Sequence, residues 1–503
     1  MAGLVDFNDV QGLVRYGHAR MTEACYFLLK VKNQSAAQSW LSQAPVTSAA
    51  QLQQPPQTAL QLAFTRQGLD ALGVPPKVVA GFSPEFLSGM EGDENRSTRL
   101  GDVANNAPSY WRWGAGSKIP HVVVMLFAEP GLLSDWTQSI RAQFWTAAFE
   151  EIGCLPTSNM GGREPFGFID GISQPEIDWE QKRKVPINGN QRRYGNIVCL
   201  GEFLLGYLNE YGRYTGRPLL DPQDRASSEL PAANDEPEKK DLGRNGTYVV
   251  MRQLVQDVRG FWQFLNREVN SNAEDRARLA SRMVGRALAD GLPLEPLSPD
   301  PIEGVGKTAR EISQNQFTYD PDVDGVRCPL GAHIRRANPR NPDIPGNPQG
   351  LVSTLLRTLG FGGKNIRYDL VASTRFHRIL RRGREYGPSL AIERALDAPP
   401  PDEPERGLHF LAINANIQRQ FEFVQNAWLM RTKFDGLTEE SDPLLGNRAP
   451  IAGCPITNTF SIPQDGGVRR RVMDVPQFIT VRGGAYFFMP GISALRYLSK
   501  VGQ

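Results

Sequence analysis

Histidine and cysteine are scarce in this chain. Each occurs five times in 503 residues. The cysteines, Cys25, Cys154, Cys199, Cys328 and Cys454, are scattered and include no C-x-x-C pair. That spacing argues against a zinc ribbon, a covalently attached C-x-x-C-H haem and a disulfide framework, and predicts reduced, mostly buried thiols. Long apolar runs are also missing: no stretch approaches the roughly 18 residues needed to span a bilayer. The opening "MAGLVDFNDVQGLVRYG" has no basic segment followed by an apolar one, so no signal peptide is read. The expectation is a cytoplasmic protein without membrane contact, with export by an unmarked route left open. Net charge is only +2, which offers no electrostatic case for nucleic acid.

What is present is ordinary globular composition, 40% hydrophobic and 22% charged. The length exceeds one usual core and predicts two domains. Strand-like and helical runs alternate in the first part: "ACYFLLKVKN", "SAAQSWLSQA", "TALQLAFTRQGLDALG", "HVVVMLFAEP", then "FWTAAFEEIG" as a short amphipathic helix and "PFGFIDGISQP" as an apolar strand entering a turn. A similar order returns with "GTYVVMRQLVQDV", "RGFWQFLNREV", "EDRARLASRMVGRALA", "GLHFLAINANI" and "QRQFEFVQNAWLM". The expected division is 1–220, an exposed polar loop or linker over 221–246, and 247–503. The middle stretch is rich in Pro, Asp, Glu, Lys and Ser and buries little apolar area. Each flanking part reads as an α+β domain, an antiparallel sheet with helices packed on it.

Three segments can carry chemistry. In "CPLGAHIRRANPRNPD", His333 is followed by Arg335, Arg336 and Arg340; imidazole can ligate a metal while guanidiniums pair with carboxylates or phosphates of the same ligand. A solvated basic loop with an incidental histidine is the plainer alternative. In "HRILRRGREYG", strand alternation puts Ile379 and Arg381 on one face and Leu380 and Arg382 on the other, so one arginine follows Ile379 inward. A solvated edge strand is the alternative there. In "GFIDGISQP", Asp170 sits between Gly167 and Gly171, either capping its own bend or held as a carboxylate at a pocket mouth.

Together these segments resemble the dye-decolourising peroxidases, a haem b family. Gly167-Phe168-Ile169-Asp170-Gly171 resembles its GxxDG motif, "CPLGAHIRRANPR" its proximal histidine segment and "HRILRRGREYG" its distal arginine segment. "GLHFLAIN" resembles the strand lining the distal haem face, with Leu408 and Phe410 as the matching residues. The likeness spans nearly the whole chain. It implies two ferredoxin-like domains with haem held mainly by the C-terminal one. It further implies His333 as axial iron ligand, Asp170 as the base that moves a peroxide proton, and Arg381 as the group stabilising the leaving oxygen. Arg340 would reach a haem propionate, and Gln174 would run along the haem edge. In this family an acid often accepts the proximal imidazole Nδ1–H; the aligned position here is Asn416, a weaker acceptor, or else the alignment slips there and another acid takes the role, Glu422 being a poorer candidate in the following helix.

The implied partners are hydrogen peroxide and a small-molecule reductant such as a bulky dye or phenol; homo-oligomerisation is left open. A haem-binding or haem-handling protein with little turnover would need His333 but not the Asp170–Arg381 pair. A haem-free α+β binding module would need none of them. His377 either lines the haem cavity or packs, with packing expected; His409 is expected to face away from Leu408 and Phe410, and His18 and His121 to be structural.

Overall fold

The computed structural model describes residues 4–182, 196–294, 314–315, 317–340, 374, 376–450 and 455–502. Its frame is one antiparallel sheet of nine strands. The N-terminal strands are β1 (Glu23–Val31), β2 (Thr58–Phe64), β3 (Val122–Ala128) and β4 (Phe149–Pro156). The C-terminal ones are β5 (Thr247–Gln256), β6 (Leu380–Arg381), β7 (Arg384–Tyr386), β8 (Gly407–Asn414) and β9 (Ile479–Met489). The first set is ordered β4-β1-β3-β2 and the second β9-β5-β8-β6, with β7 also on β8. Both follow the ferredoxin-like fourth-first-third-second order. They meet where β9 pairs with β2 at Phe488 and Phe64.

The central strands are buried on both faces, which is why they read as continuous apolar runs. In β3, Val122, Val124 and Leu126 enter one core with Leu60, Leu62 and Phe64, while Val123, Met125 and Phe127 enter the other with Ala59 and Ala63. The main helices are α1 (Gln34–Gln43), α2 (Leu133–Arg141), α3 (Trp145–Ala148), α4 (Val258–Glu268), α5 (Ala273–Val284), α6 (His333–Ala337) and α7 (Ile492–Leu498). Asn33, Asp257 and Asn272 cap α1, α4 and α5 by accepting backbone N–H bonds, and Gly285 ends α5 at φ +95°.

Three local expectations are corrected. "FWTAAFEEIG" is helical only over Trp145–Ala148 and then becomes the edge strand β4, because Phe149 to Pro156 find backbone partners on β1. "PFGFIDG" is a loop with a single bridge, Arg163 to Ile169, since the glycines break the extended run. Residues 221–246 are partly packed down: Ser227, Leu230, Asp241 and Leu242 are buried, and Arg217 Nε donates to Asp241 Oδ2 at 2.6 Å. The apolar residues among the charges supply the anchors that average composition hides. The thiols are mixed: Cys25 and Cys328 are buried, Cys199 is half-buried, Cys154 is exposed, and Cys454 lies outside the described residues. Among the described residues, no helix is long and apolar enough to cross a membrane.

Candidate functional site

One face of the C-terminal sheet carries a cavity of about 260 Å³. Strand alternation builds its floor. Ile379 and Arg381, Leu408 and Phe410, Arg252, Leu254 and Gln256, and Ile479 and Val481 all line it from neighbouring strands. Leu408, Leu254 and Val481 form one cross-strand row, and Phe410 lies opposite Arg252 in the next. The opposite alternation holds as expected: Leu380 is buried in the other core, and Arg382 turns away to donate to the carbonyls of Leu13 and Val14.

Asp170 and Arg381 meet at this cavity. Arg381 Nη1 donates to Asp170 Oδ1 at 2.9 Å, and the Gly171 N–H donates to the same oxygen at 2.6 Å. Oδ2 has no partner among the described residues, so the carboxylate both accepts the next N–H within its own bend and keeps a free acceptor. Its side chain is 40% accessible and lines the cavity. Burial pushes its pKa up, but the Arg381 guanidinium, the Gly171 N–H and the His333 imidazole outweigh it, and the carboxyl lies below its ordinary value.

The turn that presents Asp170 is pinned from behind. Glu164 accepts the N–H groups of Phe166 and Phe168 at 3.0 and 2.9 Å and Gln256 Nε2 at 2.6 Å. Burial raises its carboxyl to about 7 against those bonds. Gly171 sits at φ +75°, in the left-handed region. Gly171→Ala is therefore expected to cost about 1–2 kcal/mol, read as a lower urea midpoint with unchanged slope.

His333 opens α6 and faces the same cavity. Its Nδ1 lies 2.9 Å from Asp442 Oδ2. Asp442 is fully buried, and its Oδ1 accepts the N–H groups of Leu444 and Leu445 at 2.9 and 2.8 Å. Burial opposes ionisation of Asp442, yet the His333 imidazole and these N–H bonds bring its pKa below the ordinary value. A carboxylate at Nδ1 places the ring hydrogen there and leaves Nε2, which has no partner among the described residues, with its lone pair available.

This corrects the Asn416 alignment. Asn416 Oδ1 instead caps the following helical turn, accepting Arg419 N–H at 2.8 Å. Glu422 is engaged elsewhere, with Arg96 at 3.0 Å and the Tyr486 hydroxyl at 2.9 Å. Asp442 stands 109 residues after His333, and its only local signature is an Asp ahead of "PLLGN", an Asx turn in form.

The basic residues after His333 divide. Arg335 and Arg336 do not line the cavity. Arg335 Nη1 donates to the carbonyls of Asp322 and Cys328, and Arg336 to those of Trp428 and Glu440, so both anchor α6. Arg340 does line the cavity; it stacks 3.8 Å from the Phe317 ring centroid and donates to Ser173 Oγ at 2.6 Å and to the Asn315 and Phe317 carbonyls. Burial lowers its pKa to about 10.

Gln174 is not on the cavity wall. Its Oε1 accepts the Arg381 backbone N–H at 3.0 Å, tying the turn after Asp170 to β6. His377 both packs and lines the wall: it lies face to face with Phe423 at 3.6 Å, and its Nδ1 bonds the Arg419 carbonyl. His409 stacks on Tyr386 at 4.4 Å, away from the cavity.

The donor set suits a particular kind of ligand. No group of three or more His, Cys, Asp or Glu among the described residues could hold a bare metal ion. One imidazole with an anchored Nδ1 suits a metal that brings its own equatorial ligands, and the apolar Leu408, Phe410, Phe421 and Leu429 suit a flat apolar macrocycle.

No family model matches the chain. Among curated proteins it is 28% identical over 526 residues to the dye-decolorizing peroxidase msp1 of Mycetinis scorodonius, covering 99% of this chain and 88% of that one. It is 29% identical over 463 residues to the multifunctional dye peroxidase DyP2 of Amycolatopsis sp., covering 87% and 82%. Among solved structures, a fungal DyP-type peroxidase from Auricularia auricula-judae superposes with a TM-score of 0.71 at 25% identity, covering 99% of this chain and all of that one. A dye-decolorizing peroxidase in complex with 2,6-dimethoxyphenol superposes at 0.69 and 22% identity, covering 99% and 100%.

Proposed function

The chain belongs to the dye-decolourising peroxidase family, and from that premise we propose that its cavity holds haem b through His333 and reduces hydrogen peroxide with Asp170 and Arg381. The carrying observation is that Asp170, paired with Arg381, and His333, held from behind by the buried Asp442, line one cavity. Haem, when bound, supplies the redox-active iron on which peroxide is reduced. The chain's residues supply the rest. His333 Nε2 would be the nitrogen that holds the iron, and Asp442 keeps the hydrogen on Nδ1 and makes the ring a stronger donor. Arg340, on the cavity wall, is the residue assigned to a propionate. Gln174 is assigned instead to positioning Arg381.

Asp170 Oδ2 accepts the proton from peroxide and returns it to the departing oxygen. Arg381 donates hydrogen bonds to that oxygen as negative charge develops. Leu408 and Phe410 present apolar surface around them and limit water. The electron donor is a phenol or bulky dye, a class suggested by the 2,6-dimethoxyphenol complex of a structural neighbour. Haem-loaded protein should oxidise 2,6-dimethoxyphenol only with peroxide, and its Soret band should respond to one equivalent. A Soret band that ignores peroxide would remove the assigned roles of Asp170 and Arg381 and favour the haem-handling alternative.

The pH dependence follows from Asp170. A carboxyl held below its ordinary value stays ionised through mild acid, and base function is lost only as pH falls through that lowered value. Arg381→Leu leaves burial unopposed by the guanidinium. The acid limb of the kcat/KM profile for peroxide should then move to higher pH, in addition to an overall fall in rate. An acid limb that stays in place would show that Asp170 is not the titrating base.

A further inference from the structure

Far from the cavity, two cysteines meet at the free edge of the N-terminal sheet. β4 is the terminal strand; its ladder partner among the described strands is β1, and its last carbonyl, that of Pro156, accepts from His409 Nε2 at 3.1 Å. In their register Phe27 faces Cys154 and Cys25 faces Pro156. Cys25, Phe27, Cys154 and Pro156 therefore share one face of the sheet, with the two cysteines diagonal neighbours. The two sulfurs are near enough for each to shift the other's ionisation. Cys25 is buried and Cys154 is exposed.

A cation completes the group. The Arg141 guanidinium, at the end of α2, lies 4.6 Å from the centroid of Phe27, the residue facing Cys154. It pairs with Glu151 on β4, and its buried Nε has no hydrogen-bond partner among the described residues. The charged and titratable groups around Cys154 are thus Cys25 from β1, Glu151 from its own strand and Arg141 from α2. The Cys25 thiol and Arg141 favour the Cys154 thiolate; burial and Glu151 oppose it, and the net direction is down. The Cys154 sulfur and burial push Cys25 up, so it remains a thiol.

We propose that Cys154 and Cys25 form a second, haem-independent peroxide-reactive site that closes as a β1–β4 disulfide. The Cys154 thiolate sulfur attacks hydrogen peroxide: an S–O bond forms, the O–O bond breaks, and hydroxide leaves to be protonated to water. The sulfur is oxidised to sulfenic acid. Cys25 sulfur then attacks Cys154 sulfur: an S–S bond forms, the S–O bond breaks, and the hydroxyl leaves with the Cys25 proton as a second water. Two thiols and one peroxide give one disulfide and two waters. A disulfide needs Cβ atoms about 4 Å apart, closer than an ideal diagonal pair. An edge strand whose ladder partner lies on one side only, among the described strands, can make that adjustment. Peroxide, the substrate of the enzyme, would thus also mark the enzyme.

The test is peroxide treatment of the holoenzyme without reducing substrate, followed by maleimide blocking and non-reducing peptide mapping. Wild type should lose two alkylatable thiols and yield a linked Cys25–Cys154 peptide, with Cys199 and Cys328 as internal controls. The same link should form in Asp170→Asn holoenzyme; a link confined to wild type would overturn the direct reaction with peroxide. Cys25→Ala should give a dimedone adduct at Cys154, and no adduct would sink the proposal. Cys154→Ser should leave Cys25 reduced, and oxidation of Cys25 there would reverse the roles. Arg141→Leu should raise the pH midpoint for alkylation of Cys154; an unchanged midpoint would remove Arg141 from the site.

Discussion

Asp170→Asn should lower kcat/KM for peroxide by about 10²–10⁴-fold, the range that a positioned general base contributes. The substitution is nearly isosteric. Its amide can still accept the Gly171 N–H and an Arg381 N–H through one oxygen, so the turn and β6 should stay in place. What is lost is the second oxygen, the one with no partner among the described residues and the only atom of the turn able to take a proton. Haem retention and the resting spectrum should be unchanged, because His333 and Asp442 are untouched. Stopped-flow measurement of the Soret response to peroxide checks this directly. A rate within a factor of two or so of wild type would mean the proton moves through another group. Glu164 would be the next candidate, since its carboxyl lines the same cavity and is raised to about 7.

The second large effect concerns the cofactor side. His333→Ala should abolish stable haem retention, seen as loss of the Soret band after gel filtration, because among the described residues the only other histidine lining the cavity, His377, is engaged with Phe423 and the Arg419 carbonyl. Asp442→Asn grades the same interaction. An amide holds the Leu444 and Leu445 N–H bonds but replaces a charged acceptor at Nδ1 by a neutral one. Haem affinity should fall by about 10–100-fold, the usual cost of losing the group behind a metal-bound histidine. Retention at the wild-type level in Asp442→Asn would show that the carboxylate does not set the donor strength of His333. A parallel Asn416→Ala should leave haem retention unchanged, since Asn416 only caps a helical turn.

Much of the site was legible along the chain because its residues sit in short segments with local rules. Alternation along "RILRR" separated Ile379 and Arg381 from Leu380 and Arg382, and the same rule put Leu408 and Phe410 on the face opposite His409. The glycines around Asp170 marked a tight turn. The failures are equally local in origin. Asn416 aligns because it follows the β8 segment, but proximity in sequence does not bring a side chain to Nδ1 of His333. Arg335 and Arg336 looked like ligand-binding cations, yet a helix as short as α6 needs anchoring, and buried carbonyls around it take their N–H groups.

Most element types follow from the sequence, with residues 144–153 and 165–171 as exceptions, as do the face each strand residue occupies and the identities of the groups able to do acid–base or ligand chemistry. These depend on neighbours within a few residues and on a period of two or 3.6, which a linear reading contains. Only the tertiary structure decided which groups meet. Asp442 reaches His333 across 109 residues, Gln174 reaches Arg381 across 207, and Arg381 reaches Asp170 across 211. Such contacts are set by the order in which the strands assemble into the sheet and by the loops that return over it. A buried polar atom takes whichever partner that packing brings within hydrogen-bond reach, and no local pattern encodes that choice.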